Sequence, residues 1–339
     1  MRNKPIFKII VILAILLFLG FIIVSSFQKA SNSVKPKIKE NRPPPKERID
    51  APAFSADSAY AYIQKQVDFG PRNPNSASAR ACGDWLESKL ASFGAKVSTQ
   101  EDIVIAYDGT ELEMRNIIAE FHPEKTKRIM LYAHWDTRPF ADKDTIRMDE
   151  PIDGANDGGS GVGVLLEIAR VLEKTPTEYG IDIILFDSED YGRPNNSPAS
   201  EATEWCLGSQ YWSRNPHKPN YRAKYGILLD MVGGKNASFP REGTSLEYAQ
   251  NVVNKIWRSA NSLGHSSLFN QKETNRTIDD HLFVNAIAGV PSAAIVEFHV
   301  HQMGGYGKFH HTHQDNMDNI SPETLQAVGD VVMDVIYNE

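Results

Sequence analysis

From residue 51 onward the chain alternates between stretches with a helical distribution of apolar side chains and short apolar runs. Segments 58–67 and 77–92 predict helices, the second closed by Gly94. Segments 96–104 and 111–121 predict strands joined by the turn Asp108-Gly109. Further strands are predicted at 128–133, 181–186, 225–229 and 291–296, and further helices at 162–172, 245–262 and 322–337. This alternation implies a helix-covered sheet. The expected fold is α/β, a single globular domain with a mixed, mostly parallel central sheet flanked by helices. No internal repeat is visible. In such sheets function gathers beyond the carboxyl ends of the strands, and the polar motifs of this chain lie there.

The first fifty residues stand outside that pattern. Arg2, Lys4 and Lys8 precede an apolar run from Ile9 to Val24, extended by Ser25-Ser26-Phe27. The run is near the length that spans a bilayer, and no Ala-x-Ala-like cleavage site comes closely after it. Residues 1–27 are therefore expected to be a signal anchor. Lys29, Lys35, Lys37, Lys39 and Arg42 lie beyond the run, so counting positive charges works against export of the C-terminal side. The alternative moves the short N-terminal flank across instead, and the expectation remains a cell-membrane anchor with an extracytoplasmic, periplasmic main domain. Residues 28–50, with Pro36, Pro43, Pro44 and Pro45 among charged residues, read as a solvated tether. The domain proper is 51–339.

Charge sharpens this division. The net charge of the chain is −7, but residues 1–50 hold ten Lys/Arg against three acids, so the remainder is strongly acidic. That excludes nucleic acid as the expected partner of the main domain. The two cysteines, Cys82 and Cys206, either bridge in an oxidising compartment or stay as buried thiols, and are too few for a cysteine-based metal site.

The chemistry-bearing residues fall in five segments. The run Phe186-Asp187-Ser188-Glu189-Asp190 places adjacent carboxylates after an apolar strand, where they are costly unless paired or metal-bound. His134-Trp135-Asp136 follows another strand, and Asp230 ends a third. A glycine-rich segment, 154–161, contains Asp157, and His310-His311-Thr312-His313 precedes the last helix. Each alone has an ordinary explanation, a core histidine, a turn aspartate or a helix cap. Together they form a set of imidazole and carboxylate donors that suits Zn²⁺, for which three protein ligands and an open position define a catalytic site. The glycine-rich segment lacks the Lys-Ser/Thr ending of a phosphate loop. Its glycines instead allow close backbone approach.

The order His134-x-Asp136, Gly-Ala-x-Asp157, Glu189-Asp190, Asp230 and His311 resembles the zinc-dependent aminopeptidase superfamily with co-catalytic metals. Within it the chain looks most like the glutaminyl cyclases, of a bacterial membrane-anchored type, over residues 60–338. The motifs that carry the resemblance include Gly-Ala-Asn-Asp157, Phe-Asp-Ser-Glu189-Asp190, Leu-Gly208-Ser209-Gln-Tyr-Trp, Leu-Leu-Asp230-Met-Val-Gly, Ser-Phe239-Pro240, Asp279-Asp280-His281 and His311-Thr-x-x-Asp315-Asn316. Aminopeptidases of the superfamily have Ser before the Asp-His pair, where this chain has Asp279.

The resemblance implies one zinc per chain held by Asp157, Asp190 and His311. It makes Glu189 the general acid/base, with Asp230 and Asp279 as hydrogen-bonded carboxylate partners and His134, Asp136 and Asp280 around them. Trp205, Trp212, Phe239 and His310 are candidates for the substrate pocket, the aromatics being equally readable as core residues. Three departures from the animal cyclases stand out. Asp190 replaces a glutamate, His310 replaces a tryptophan, and Ala294 occupies the place of a histidine, leaving Glu297, His299 or His301 to complete the carboxylate network.

The implied reaction converts the N-terminal glutamine of peptides and proteins to pyroglutamate with release of ammonia, Glu189 shuttling the proton. Two other readings fit the residue types: a two-zinc aminopeptidase using His134, Asp157, Asp190, Asp230 and His311, and a non-enzymatic binding ectodomain that kept the fold.

Overall fold

The structure, a computed structural model, describes residues 48–194, 201–300 and 305–339. The expected anchor and most of the expected tether lie outside these residues. Among the described residues no helix is long and apolar enough to cross a membrane.

Six strands form the central sheet: β1 (Lys96–Ile105), β2 (Glu111–Phe121), β3 (Arg128–His134), β4 (Gly180–Phe186), β5 (Gly226–Asp230) and β8 (Ser292–Val296). Their spatial order is β1-β2-β4-β3-β5-β8. The hairpin β1–β2 is antiparallel and meets β4 antiparallel, whereas β4, β3, β5 and β8 run parallel. Their carboxyl ends therefore share one edge of the sheet. Two short strands, β6 (Phe239–Arg241) and β7 (Phe269–Glu273), pair apart from it.

The inner strands β3, β4 and β5 are buried at every position because both faces are covered. Leu131 and Ala133 of β3, Ile183 and Leu185 of β4, and Ile227 and Leu229 of β5 enter the larger core. That core is closed by α1 (Ala56–Val67), α2 (Ala77–Ser92), α3 (Gly159–Lys174), α5 (Gly243–Ser262) and α7 (Pro322–Tyr337). The alternate residues Met130, Tyr132, Ile184, Phe186 and Leu228 face a second cluster that includes Trp212 of α4 (Leu207–Arg214). A short helix, α6 (Asp280–Phe283), packs on the same face. Each fully buried Leu, Ile or Phe in these layers contributes about 1.5–3 kcal/mol relative to exposure.

At the amino edge of the sheet, Arg128 grips Asp182 with two hydrogen bonds of 2.6 Å, and Tyr221 donates to the same carboxylate at 2.7 Å. The charge is thus paired and bonded, as burial requires. Cys82 and Cys206 are both buried free thiols, so the bridge allowed by the sequence does not form.

Candidate active site

The carboxyl edge of the parallel strands collects the polar motifs. His134 ends β3 and Asp230 ends β5, while Glu189 and Asp190 follow β4 by a short turn. That turn is made by Ser188 in the left-handed region, φ 55°. The side chain of Asp136 stabilises it, accepting the amide N–H of Glu189 on Oδ1 and that of Asp190 on Oδ2, both at 3.1 Å. Two neighbouring acids that a straight strand would send to opposite faces are thereby brought to one cleft. Met231 (φ 49°) and His311 (φ 59°) are left-handed too, so non-glycine residues in a costly backbone region cluster around the site.

Asp157 sits at the entry to α3. Asp315 fixes this loop by accepting the amides of Asn156 at 2.7 Å and Asp157 at 3.0 Å. Gly161, one turn into the helix, faces β5 so closely that a Cβ would collide with the carbonyl oxygen of Leu229. The glycines of this motif thus seat the helix on the sheet behind Asp157.

Asp157, Asp190 and His311 converge. His311 Nε2 lies 3.1 Å from Asp190 Oδ1 and 3.7 Å from Asp157 Oδ2. Oδ2 of Asp157 and Oδ2 of Asp190 are buried without a hydrogen-bond partner, the state expected of carboxylate oxygens that ligate a cation. One imidazole and two carboxylates with unsatisfied oxygens fit a zinc ion with an open coordination position.

On the other side of Asp157, His134 Nε2 approaches Asp157 Oδ1 at 3.0 Å and Asp230 Oδ1 at 3.3 Å, and its Nδ1 lies 3.5 Å from Asp136. His134, Asp157 and Asp230 are themselves close enough to hold an ion. Burial opposes charging of His134, but these carboxylates outweigh it and raise its proton affinity well above the usual value.

The site opens into a cavity of about 420 Å³ bordered by Glu189, Asp230, Asp279, Trp205, Tyr306 and His310, among others. Burial is the main cause that lifts Asp279 well above the usual carboxylate range, with the charges of Asp230 and Asp280 adding to it. Glu189 is raised in the same way, mainly by burial, although His134 pulls it down. One wall is a stack of rings: Tyr306 on His310 with centroids 4.5 Å apart, His310 on His311 at 3.6 Å, and His311 parallel to Trp205 at 6.1 Å. Burial, and then the neighbouring His311 and Lys143, push His310 well below its usual value, so it presents a neutral imidazole.

Some expectations need correction. Phe239 is fully buried in β6 and packs on Phe269 at 5.1 Å, because the β6–β7 pair turns it into the core and away from the cavity. Trp212 is equally buried, edge-on to Phe186 at 5.8 Å on the opposite face of the sheet. Asp230 and Asp279, expected as hydrogen-bonded partners, make no hydrogen bond to each other, Asp279 Oδ2 being buried without a partner, and Glu297 does not join them. It accepts Asn156 Nδ2 at 3.2 Å and lies 2.8 Å from His299 Nε2, pinning the loop before Asp157. His301 lies outside the described residues. Asp280 is fully buried beside Asp279, which receives its amide N–H at 2.6 Å.

The sequence reading missed a strap that follows β3. Fully buried Arg138 donates to Asp142 at 2.7 and 3.0 Å and to the carbonyl oxygen of Asp190 at 2.8 Å. Asp142 in turn lies 3.3 Å from His311 Nδ1. Lys143 completes the grip, its amide donating to the His311 carbonyl at 3.2 Å and its ammonium meeting His310 Nδ1. Histidines that ligate metals characteristically turn their other nitrogen to a carboxylate in this way. No spacing signals this strap, because the partners meet only after folding.

Comparison with known proteins now bears on this geometry. The model of peptidase family M28 matches residues 116–336, from the middle of β2 to the end of α7, and includes every converging ligand. The chain belongs to peptidase family M28. Among curated proteins, this M28 chain is 28% identical over 310 residues to aminopeptidase YwaD of Bacillus subtilis, covering 85% of this chain and 58% of that protein. It thus spans little more than half the length of that relative. Solved structures match more fully. A glutaminyl cyclase of Bacteroides thetaiotaomicron bound to N-acetylhistamine is 51% identical, with 85% of this chain and 99% of that chain covered and a TM-score of 0.83. A leucine aminopeptidase precursor from the same organism is 50% identical, with 86% and 99% covered and a TM-score of 0.82. The M28 fold and the α/β architecture expected from the sequence agree.

Proposed function

We propose that the chain is a zinc-dependent glutaminyl-peptide cyclotransferase, which closes the N-terminal glutamine of peptides and proteins to pyroglutamate and releases ammonia. The observation that carries this reading is Asp279. Its carboxyl borders the cavity within the field of Asp230, and burial and that field favour its neutral form. Two close carboxylates resist joint ionisation, and a proton held on Asp279 removes negative charge that a second cation at His134 and Asp230 would need. The match to a glutaminyl cyclase over 99% of its chain supports the same reading.

When held by Asp157, Asp190 and His311, zinc supplies Lewis acidity at the side-chain carbonyl of the glutamine. The residues of the chain do the rest. The ring wall of Trp205 and His310 confines the folded glutamine, so that its α-amine meets its own carboxamide carbon and no water nucleophile is needed. Glu189 takes a proton from the attacking amine as the new C–N bond forms. It returns that proton to the amide nitrogen, which leaves as ammonia. The carboxylate ends the cycle as it began.

A second reading, a two-zinc aminopeptidase, draws on the His134, Asp157 and Asp230 group and on the likeness to a leucine aminopeptidase precursor. One paired measurement separates the two. Zinc content is counted while glutaminyl- and leucyl-peptides are offered to the same preparation. About one zinc per chain with ammonia release from the glutaminyl peptide is expected. Two tightly held zincs with rapid release of leucine would replace this reading.

We further propose that residues 1–27 anchor the enzyme in the cell membrane with its catalytic domain outside the cytoplasm, in the periplasm. The apolar run behind Arg2, Lys4 and Lys8 supports this. Intact cells with a permeabilised outer layer should expose the domain to added protease, and removal of 1–27 should release it to the soluble fraction.

A further inference from the structure

The mechanism leaves one reactive side chain of the site without a task. Cys206 is fully buried, and its Sγ lies 3.1 Å from Oε1 of Glu189. Among the described residues no other side chain is hydrogen-bonded to this carboxylate. The thiol is also held from behind. Cys206 is left-handed, φ 57°, a conformation that costs energy for a residue with a Cβ. Three successive amides of this turn dock on the acid loop: Cys206 on the Glu189 carbonyl at 2.9 Å, Leu207 on Ser188 at 3.0 Å and Gly208 on Asp187 at 3.1 Å. A Cβ on Gly208 would collide with the Asp187 carbonyl oxygen, so this zip closes only with glycine there. The backbones of residues 189 and 206 are therefore fixed against each other, with the thiol facing the carboxyl. Burial first, and then the charges of Glu189, Asp280 and Asp279, keep the sulfur protonated and hence a donor.

We propose that Cys206 is a positioning residue: its thiol donates to Oε1 of Glu189 and fixes the carboxyl so that Oε2 exchanges the proton with the substrate. A thiol suits this task because hydrogen bonds to a carboxylate reduce its basicity, and S–H is a weak donor. It orients the base while leaving most of its proton affinity. The kinetic part of the inference rests on the cyclase reading; the bond itself does not.

The test therefore has two arms, both on the zinc-loaded protein. Infrared spectra record the S–H stretch, with the buried Cys82 as internal reference. The Cys206 band should lie below that of Cys82, vanish in Cys206→Ala and move toward the Cys82 band in Glu189→Gln. In the second arm, Cys206→Ala should lower kcat on glutaminyl peptides about three- to tenfold, with KM unchanged, the worth of one hydrogen bond. Cys206→Ser should recover most of that loss. An S–H band that ignores Glu189→Gln overturns the proposal, even if Cys206→Ala does not fold or the protein turns over no glutaminyl peptide. So does an unchanged kcat in a folded Cys206→Ala variant. A parent that cyclises nothing but shows the displaced band would sink the cyclase reading and leave the thiol–carboxylate bond standing.

Discussion

Replacing Asp142 by asparagine separates two roles of one carboxylate. Oδ1 serves both Arg138 Nε at 2.7 Å and His311 Nδ1 at 3.3 Å, and Oδ2 accepts Arg138 Nη2 at 3.0 Å. The amide keeps an acceptor at Oδ1 but places an NH₂ group opposite Arg138 Nη2. One charge-assisted bond is lost, which destabilises the metal-free protein by about 1.5–3 kcal/mol. Arg138 still lies 3.6 Å from Asp190 Oδ1, so the cost stays below the roughly 3–5 kcal/mol of a buried pair broken outright. His311 meanwhile loses the negative charge behind its ring. Removing such a partner weakens metal binding about 10–100-fold, or roughly 1.4–2.7 kcal/mol. Urea unfolding of the metal-free protein measures the first effect, and zinc competition against a chromophoric chelator measures the second. A variant with lowered stability but a zinc Kd within about threefold of the parent would show that Asp142 serves only Arg138, refuting its role behind His311.

Three further outcomes are expected. Glu189→Gln should keep its zinc and lose about 10²–10⁴-fold in turnover, whereas Asp190→Ala should lose the metal itself, as atomic absorption and single-substrate kinetics will show. Asp279→Ser should depress cyclisation steeply and free Asp230 for a second, weaker zinc beside His134; calorimetric titration that finds no second site, with turnover unchanged, would remove Asp279 from the reaction. Burial would raise the Glu242 carboxyl, but His281 at 2.8 Å and the amides of Ser245 and Thr244 at 2.7 Å outweigh it and hold it far below its usual value. Its stabilisation is thus complete above about pH 4.3 and lost as pH falls further, because the unfolded chain then binds a proton the native one refuses. Glu242→Gln should lower the urea midpoint at neutral pH and flatten its fall between about pH 5 and 3.

Much of this fold was readable where local pattern and tertiary burial agree. The helices at 77–92 and 322–337 and the strand at 111–121 match their predicted limits. The inner strands were visible because a sheet covered on both faces leaves a nearly continuous apolar signature, broken in β4 only by Asp182. Helix α4 and the β6–β7 pair went unseen, being short and carrying no strong period. At the site, Asp157, Asp190 and His311 were named together only through the family resemblance, since each alone has an ordinary explanation as a turn, cap or core residue. Asp142 was not, since it sits in a polar loop and gains meaning only from His311, far along the chain. Phe239 misled for the opposite reason: an aromatic beside a motif resembles a pocket wall until packing turns it inward. The thiol of Cys206 was read as a redox question, and its meeting with Glu189 required the left-handed turn that no spacing announces.

The donors proposed to share one ion come from Asp157, Asp190 and His311, the last of them beyond the final strand of the main sheet. During synthesis the ribosome releases these segments in order, and the third donor, the imidazole of His311, emerges only after all six strands of the main sheet have been made. Until then the proposed set of Asp157, Asp190 and His311 has two carboxylates and no imidazole. The cage is therefore completed only when the segment after β8 docks against the loops that follow β3 and β4, and metal occupancy would report that these distant segments have folded together.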